Sequence, residues 1–236
     1  MIVRSKLNYI SLIREKLNEK QRILFRKSCF GGWLDLIFFD HEPHMLDYIL
    51  QRQGYVDDAH FDMPLIYNVA DRSLHFGRTE FCLITGFRFG KWVSSIDLSK
   101  GVIKFKSRVF PEKIGAQLSN LDLLGLMEDE DLFRKLSDED AVRVSLLLAL
   151  EVIFMGRLVA AEIDDKLLRL VEELDEWNSY PWGEYIWRQL YNQLLNVVDR
   201  HKWQHLKGIQ SSTTYVPTYT VGGFVWAFKV IPIYFI

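Results

Sequence analysis

The chain has 236 residues, with a hydrophobic fraction of 49% and a charged fraction of 25%. Both fractions are typical of globular domains, which argues against a disordered chain and against a membrane protein. The net charge of −2 is too small to give the chain as a whole the phosphate attraction of a nucleic-acid-binding protein. Aromatic residues reach 14%, so we expect a core built from large flat side chains.

The cysteine content and the N-terminus indicate a cellular compartment. The two cysteines, Cys29 and Cys82, each lie next to a phenylalanine, which predicts buried thiols in a reducing environment rather than a disulfide framework. Residues 1–16 carry scattered charges and lack the continuous apolar centre of a signal peptide. We therefore expect an intracellular protein, either nuclear or cytoplasmic.

Residues 3–26 have the pattern of one amphipathic, basic helix. Apolar residues recur at helical spacing, at Leu7, Ile10, Ile13, Leu17 and Leu24. Between residues 3 and 27, eight basic residues oppose two acidic ones, a local charge of +6. A basic helix face is usually solvated, but Lys16, Lys20 and Arg22 are candidates for a contact with nucleic acid.

An acidic segment follows later, where residues 122–140 contain eight acidic and two basic residues. The simplest interpretation is a solvated segment. Docking of the basic helix onto this acidic segment is an alternative, and so is a contact of the basic helix with nucleic acid.

The first half of the chain contains a predicted helix, a hairpin and a second, short helix. Pro43 suits the first turn of a helix that runs to about Gln53. Residues 60–69 and 73–76 are typical of two strands joined by a turn, and residues 91–117 of a loop with at most one short strand. In the short helix that follows Phe76, Gly77 is the expected N-cap, Glu80 the third helical residue, and Gly86 the left-handed C-terminal residue.

The second half is predicted to be helical. Residues 138–156 are apolar on every side, which is typical of a central buried helix, and residues 163–177 form an amphipathic stripe. Pro181 is expected to open a long helix to about His205, with Glu184 near its positive end. Residues 219–236 are either a terminal helix or a buried strand.

The predicted fold is mainly α, a single-domain helical bundle over residues 1–236 with a small β-hairpin. No repeat and no low-complexity linker divides the chain. The longest apolar stretches, residues 144–155 and 221–236, are too short to span a bilayer. Because the second stretch runs to the last residue, we expect the natural domain to continue or to pack onto another chain.

The chain lacks the residue patterns that common catalytic sites require. It has no Gly-rich phosphate loop, and neither cysteine has a neighbouring base in sequence. His41 and His44 are three residues apart rather than the four of a zinc hydrolase motif, and His201 and His205 have no evident third ligand. We expect no catalytic, cofactor or metal site.

Four stretches, in order, resemble a plant-specific domain of unknown function, number nineteen-eighty-five in its series. They are FGGWLDL at 30–36, HFGRTEFCLITGF at 75–87, YPWG at 180–183 and GFVWAFKVIP at 223–232. The second resembles the family pattern FG-x-x-EF-x-L-x-TG. The signature residues of this chain are Phe76, Gly77, Glu80, Phe81, Thr85, Gly86, Pro181, Trp182 and Gly183. Lys229 departs from the family, which usually has an acidic residue there.

The resemblance covers about residues 22–236. It implies a protein of plant genomes, often transposon-derived and often placed upstream of a cysteine protease domain of the ubiquitin-like or SUMO protease type. The leading hypothesis is therefore a non-enzymatic module that binds or targets an unknown protein partner. The alternatives are a nucleic-acid-binding fragment of a mobile element and the non-catalytic part of a cysteine isopeptidase. For the signature we expect Phe76, Phe81, Pro181 and Trp182 to be buried, and Glu80 to bond backbone N–H groups near Gly77.

Overall fold

The computed structural model describes residues 1–36, 43–56, 58–93, 97–98 and 101–235. Helices dominate these residues, so the fold is mainly α, as the sequence predicts. The elements in chain order are β1 (Ile2–Val3), α1 (Asn8–Lys16), α2 (Glu19–Arg26), α3 (Pro43–Leu50), β2 (Leu65–Val69), β3 (Arg72–Phe76), α4 (Arg78–Thr85), α5 (Lys104–Val109), α6 (Asn120–Glu128), α7 (Glu130–Arg134), α8 (Asp138–Leu148), α9 (Asp165–Leu170), α10 (Leu174–Ser179), α11 (Trp182–Leu194), α12 (Val197–Ser211), β4 (Thr220–Val221) and α13 (Val225–Phe235). Single 3₁₀ turns lie at Gly31–Trp33 and Pro111–Lys113, and a π-helix at Ala149–Phe154.

The chain folds into two compact units, and each unit is discontinuous in sequence. Unit 1 comprises Met1–Ser5, Phe39–Phe89 and Trp182–Ile236, and unit 2 comprises Lys6–Phe38 and Gly90–Pro181. The chain passes between the units without a low-complexity linker, so its composition gives no signal for these crossings. The single domain over residues 1–236 stays a prediction.

Unit 1 contains the predicted hairpin. Strands β2 and β3 pair antiparallel with Leu65 opposite Phe76, and Ala70 takes a left-handed φ of 51° at the turn. Alternate residues of β2 are buried, so one face of the hairpin covers the core of unit 1. Strands β1 and β4 form a second, parallel pair with Ile2 opposite Thr220.

Unit 2 is built around α8 and the π-helix that continues it. Every residue from 144 to 154 is buried, which confirms the central buried helix predicted here. Phe30 packs against Phe154 and Trp177, with ring centroids 4.7 and 6.0 Å apart. The π-helix was not predicted, because an inserted residue leaves an all-round apolar pattern unchanged.

The single helix predicted over residues 3–26 is wrong, because this segment forms β1, α1 and α2. The helical structure is interrupted after Leu17, where Asn18 has an extended backbone and caps α2. Its side chain accepts from Gln21 N at 3.0 Å, and Gln21 Oε1 accepts from Asn18 N at 2.9 Å. This reciprocal capping satisfies two N–H groups that would otherwise lack partners, so it stabilises a helix start inside the apolar stripe.

Two other helices predicted as continuous are also divided. The stripe over residues 163–177 is split between α9 and α10, and its inward residues Ile163, Leu167 and Trp177 are buried as predicted. The helix predicted from Pro181 to His205 is interrupted at Asn196, whose φ of 50° no α-helix contains. Residues 91–117, predicted as a loop, contain α5 instead.

The C-terminal segment follows the helical alternative of its prediction, with β4 preceding α13. Lys229, which departs from the family pattern, places Nζ 3.6 Å from the ring centroid of Trp226 one turn earlier in α13. This geometry is a cation–π contact. Across the part of the chain that the structure describes, no helix combines the length and the apolar character needed to cross a bilayer.

Candidate functional site

The short helix α4 has the end structures that its sequence predicts. Glu80 Oε2 accepts from the backbone N–H of Gly77 at 2.8 Å. At the other end Gly86 has a φ of 69°, and its N–H donates to Cys82 O at 2.8 Å. Thr85 Oγ1 donates to Phe81 O at 2.7 Å and accepts from the backbone N–H of Phe87 at 3.2 Å. These residues therefore act on the backbone of α4.

Aromatic side chains pack α4 onto the hairpin and α11 within unit 1. Phe76 and Phe81 are fully buried, and their ring centroids lie 5.2 and 5.5 Å from that of Trp187. Phe76 also lies 5.2 Å from Phe228. The indole N–H of Trp187 donates to Phe61 O at 2.7 Å, so the polar atom of this buried ring is satisfied.

The YPWG stretch lies at the start of α11. Pro181 and Trp182 are buried, as predicted, and Gly183 N donates to Arg88 O at 2.8 Å. A Cβ atom on Gly183 would lie 2.5 Å from the Phe89 ring and 2.7 Å from Arg88 O. Position 183 therefore requires glycine because the Phe89 ring and the Arg88 carbonyl group approach it closely.

Charged side chains join the starts of α4 and α11. Arg78 forms an ion pair with Asp62, and its second terminal nitrogen lies 2.6 Å from Glu184 Oε2. Glu184 also accepts from Arg188 Nε at 2.8 Å. Since each charge in this network has an opposite neighbour, the network fixes the two helices and leaves no exposed cluster of one sign.

The three basic residues proposed for nucleic-acid contact lie in unit 2, and they do not form one free basic face. Lys16 Nζ lies 3.8 Å from Glu130, and Arg22 lies 3.5 Å from Glu19 and donates from Nε to Arg14 O at 2.9 Å. Lys20 is exposed.

The acidic segment does contact the basic N-terminal helices, as one alternative of the sequence analysis proposed. Besides the Lys16–Glu130 pair, Gln21 Nε2 donates to Asp138 Oδ1 at 3.1 Å, and Asn18 Nδ2 does so at 3.5 Å. The Lys16–Glu130 pair uses one charge of each segment inside unit 2, and the two amides bind the Asp138 carboxylate. They reduce what remains for an external partner.

The histidine and cysteine candidates give no assembled site. His41 lies outside the described residues, as does the side chain of His44. Within the described part of the chain, no group of three or more His, Cys, Asp or Glu side chains is arranged to hold a metal ion. Cys29 and Cys82 are half-buried rather than buried, and Cys82 Sγ lies 3.6 Å from Phe87 O.

Sequence reasoning missed the exposed side of α12. Trp203 is 81% exposed, Ile209 54% and Leu206 41%, and these side chains are spaced by three residues along the helix. We call these three residues the outer face of α12. The signal was present in the sequence as an apolar spacing of three, but such a spacing does not show whether the residues are buried or exposed.

The inner side of α12 is held by aromatic and histidine contacts within unit 1. His201 Nδ1 donates to Val197 O at 2.8 Å, and His205 Nε2 donates to Thr218 O at 3.2 Å. A Cβ atom on Gly208 would lie 2.4 Å from the Tyr215 ring, so the loop packs closely there. Tyr219 in turn donates to Asp47 Oδ1 at 2.5 Å. The inner side is fixed, and the outer face of α12 therefore projects from a supported helix.

The charges on α12 are mainly positive. Arg200, Lys202 and Lys207 oppose Asp199 alone, and all four are exposed. Tryptophan and arginine are enriched in surfaces that bind proteins. Among the features described, the outer face of α12 is the best candidate for a functional surface.

A second feature that the sequence did not reveal is the fully buried carboxyl group of Glu151 in the π-helix. Arg157 lies 3.4 Å from Oε2, but no described residue donates a hydrogen bond to either carboxyl oxygen. Burial raises the pKa of Glu151 to about 7, with Arg157 opposing the change. Asn120 Oδ1 is also buried without a donor among the described residues.

Comparison with known proteins identifies the family. The comparison with curated proteins and the comparison with solved structures found no match. A family model described as "Domain of unknown function (DUF1985)" matches residues 50–193, more than half of the chain. This range contains α4 with its capping residues, the aromatic cluster around Trp187 and the YPWG start of α11. The chain therefore belongs to the DUF1985 family.

Proposed function

We propose that this chain is a non-enzymatic protein-interaction module, and that the outer face of α12 is its binding surface. The observation that carries the proposal is the 81% exposure of Trp203 on a helix whose opposite side is fixed. Exposing a large aromatic side chain to water is unfavourable, and burial against a partner would recover roughly 2 kcal/mol or more.

The spacing of the outer face suits recognition in a groove. Trp203, Leu206 and Ile209 lie one after another along about two turns of helix. An amphipathic helix that lays such residues into an apolar groove is a recurring mode of protein recognition. The partner would present a groove deep enough to receive an indole ring.

Charge narrows the class of partner. Three basic side chains flank the outer face, namely Arg200, Lys202 and Lys207. Complementary charge around an interface speeds association and selects between partners. We therefore expect the groove to be rimmed by acidic residues.

The finer form of the proposal follows from the family resemblance. Where a member of the family precedes a ubiquitin-like or SUMO protease domain, the module would bring a protein partner to that protease. Pairing of Lys16 and Arg22 with neighbouring groups makes the nucleic-acid alternative less favourable for this chain.

Photo-crosslinking tests the proposal. A photoreactive amino acid at position 206 of the full chain should crosslink one partner in plant nuclear extract, and the same amino acid at position 83 should not. Leu83 is the matched control, because it is an exposed apolar residue of a helix in the same unit.

The affinity of the purified partner for variants of the chain then shows whether α12 is the binding surface. In titration calorimetry, Trp203→Ala should weaken binding at least tenfold, since a buried aromatic anchor is worth more than 1 kcal/mol. Leu83→Ala should change it less than twofold. Equal affinity of the Trp203→Ala variant and the unmodified chain would exclude α12 as the binding surface.

A further inference from the structure

A second candidate site lies in unit 2. A cleft of about 370 Å³ opens between α5, the start of α9 and the loops around Gly101 and Gly115. Its volume is within the range of small-molecule sites, at the lower end. The apolar side chains of Val102 and Ile114 line it and are strongly exposed.

One charged side chain in this cleft has no counter-charge in the part of the chain that the structure describes. Lys106 is only 8% exposed, and its ammonium group donates to Ala116 O. Within the described part of the chain it forms no ion pair. An ammonium carries three donors, and burying one without an opposite charge is costly.

A carboxylate oxygen in the same cleft has no hydrogen-bond donor among the described residues. Asp165 Oδ1 is buried and accepts no hydrogen bond from any described residue. Asp165 is the first residue of α9, after Asp164, whose own side chain caps the helix. The carboxylate of Asp165 is therefore not needed for capping.

Lys106 and Asp165 would bind different chemical groups of a ligand. Lys106 requires an acceptor with negative charge, and Asp165 Oδ1 requires a hydrogen-bond donor. Arg169, which donates to Gly101 O at 2.9 Å, adds a second cation to the lining. The lining thus carries two cations and one carboxylate.

We propose that this cleft binds a small anionic molecule that carries a hydroxyl or amino donor beside its anionic group. The anionic group pairs with Lys106, and the donor bonds Asp165 Oδ1. This site is independent of the outer face of α12, so either proposal can fail without the other.

Titration calorimetry of the full chain tests it with glycerol 3-phosphate, glycerate, inorganic phosphate and glycerol. Saturable binding of glycerol 3-phosphate or glycerate is expected, and the stronger of the two shows whether the anion is a phosphate or a carboxylate. Inorganic phosphate should bind more weakly and glycerol not at all. No saturable binding of either anionic polyol up to about 10 mM overturns the proposal.

Variants assign the two roles. Lys106→Met should weaken binding at least tenfold, since a charge-assisted hydrogen bond is lost. Lys104→Met is the matched control, because Lys104 is exposed on the same helix outside the cleft. Asp165→Ala should abolish the preference for glycerol 3-phosphate over inorganic phosphate.

A measurement on the unmodified chain tests the site even if a variant does not fold. The amide resonances of Gly101 and Gly115 should shift on titration with the bound polyol. Resonances that stay in place, or equal affinity of a folded Lys106→Met variant, would show that the cleft is not the binding site.

Discussion

At the scale of single residues, two positions shape the local backbone structure, and one buried carboxyl group has a shifted pKa. The Glu80 carboxylate accepts from the N–H of Gly77, the N-cap of α4. The absence of a side chain at Gly183 allows Arg88 O and the Phe89 ring to approach closely. Glu151 holds a carboxyl group in the apolar interior of unit 2. Each role leads to a measurable consequence.

Removal of the Glu80 carboxylate should destabilise the chain. Glu80→Ala leaves the Gly77 N–H without its acceptor, and the free energy of unfolding should fall by about 1 kcal/mol. Glu80→Gln keeps an acceptor oxygen and should recover most of the loss. Urea unfolding followed by circular dichroism measures both, and a midpoint unchanged in Glu80→Ala would contradict the capping role.

The raised pKa of Glu151 predicts how stability depends on pH. Folding raises this pKa from 4.5 to about 7, so the folded state holds the proton more tightly than the unfolded state. The resulting stabilisation is fully present below pH 4.5 and is lost as the pH rises through 7. Its full size is about 3 kcal/mol.

Glu151→Gln tests this titration. At pH 8 the variant should be more stable than the unmodified chain by about 1–3 kcal/mol, because it buries no charge. At pH 5 the two should be nearly equal, because Glu151 is then protonated and carries no charge. Urea unfolding between pH 5 and 8 measures the difference, with exposed Glu162→Gln as the control. A difference that does not depend on pH would show that Glu151 does not titrate as stated.

At the scale of elements, helix ends decide the architecture more than helix interiors do. Asn18 starts a new helix inside a continuous apolar stripe, and Asn196 turns the chain between α11 and α12 with a left-handed φ. The second break is what frees α12 to project its outer face. A helix that ran straight through would have carried Trp203 in a different direction.

Two Gly→Ala substitutions, one in α11 and one in α6, should have opposite effects on the free energy of unfolding. Gly183→Ala places a Cβ atom against the Phe89 ring and Arg88 O, and should cost about 1–3 kcal/mol. Gly125→Ala, inside α6 with no atom within 4 Å of the new Cβ, should stabilise by up to about 1 kcal/mol. Thermal unfolding of both variants checks the signs. A Gly183→Ala variant as stable as the unmodified chain would mean that the Phe89 ring and Arg88 O can move away from position 183 without cost.

At the scale of the whole molecule, each unit is assembled from distant parts of the chain. In unit 2, α2 packs on α8, and Phe30 packs on Phe154 and Trp177. Neither of the two sequence pieces of this unit contains the whole core. Folding of unit 2 therefore requires contacts across more than a hundred residues of sequence.

This discontinuity can be tested with fragments. The fragment of residues 90–181 should lack a cooperative thermal transition when alone, because the face of α8 that α2 covers is exposed. Addition of the fragment of residues 6–38 should restore helical signal and cooperative melting. Circular dichroism follows both, and cooperative unfolding of fragment 90–181 by itself would contradict the shared core.

The sequence by itself determined the features that depend on neighbouring residues. The hairpin, the caps of α4 at Glu80 and Gly86, and the buried character of residues 144–154 follow from local patterns of glycine, charge and apolar residues. The burial of Phe76 and Phe81 could also be predicted, because both residues belong to the family signature.

Only the tertiary structure decided where long helices break and which groups meet. The spacing of apolar residues is the same whether one helix or two helices carry them. The division at Asn18 therefore depends on capping and on contacts with Asp138. Lys106 and Asp165 are 59 residues apart in sequence and line one cleft only because α5 and α9 are packed together. The exposure of Trp203 was likewise hidden, since a sequence pattern shows which residues are apolar but not which remain uncovered.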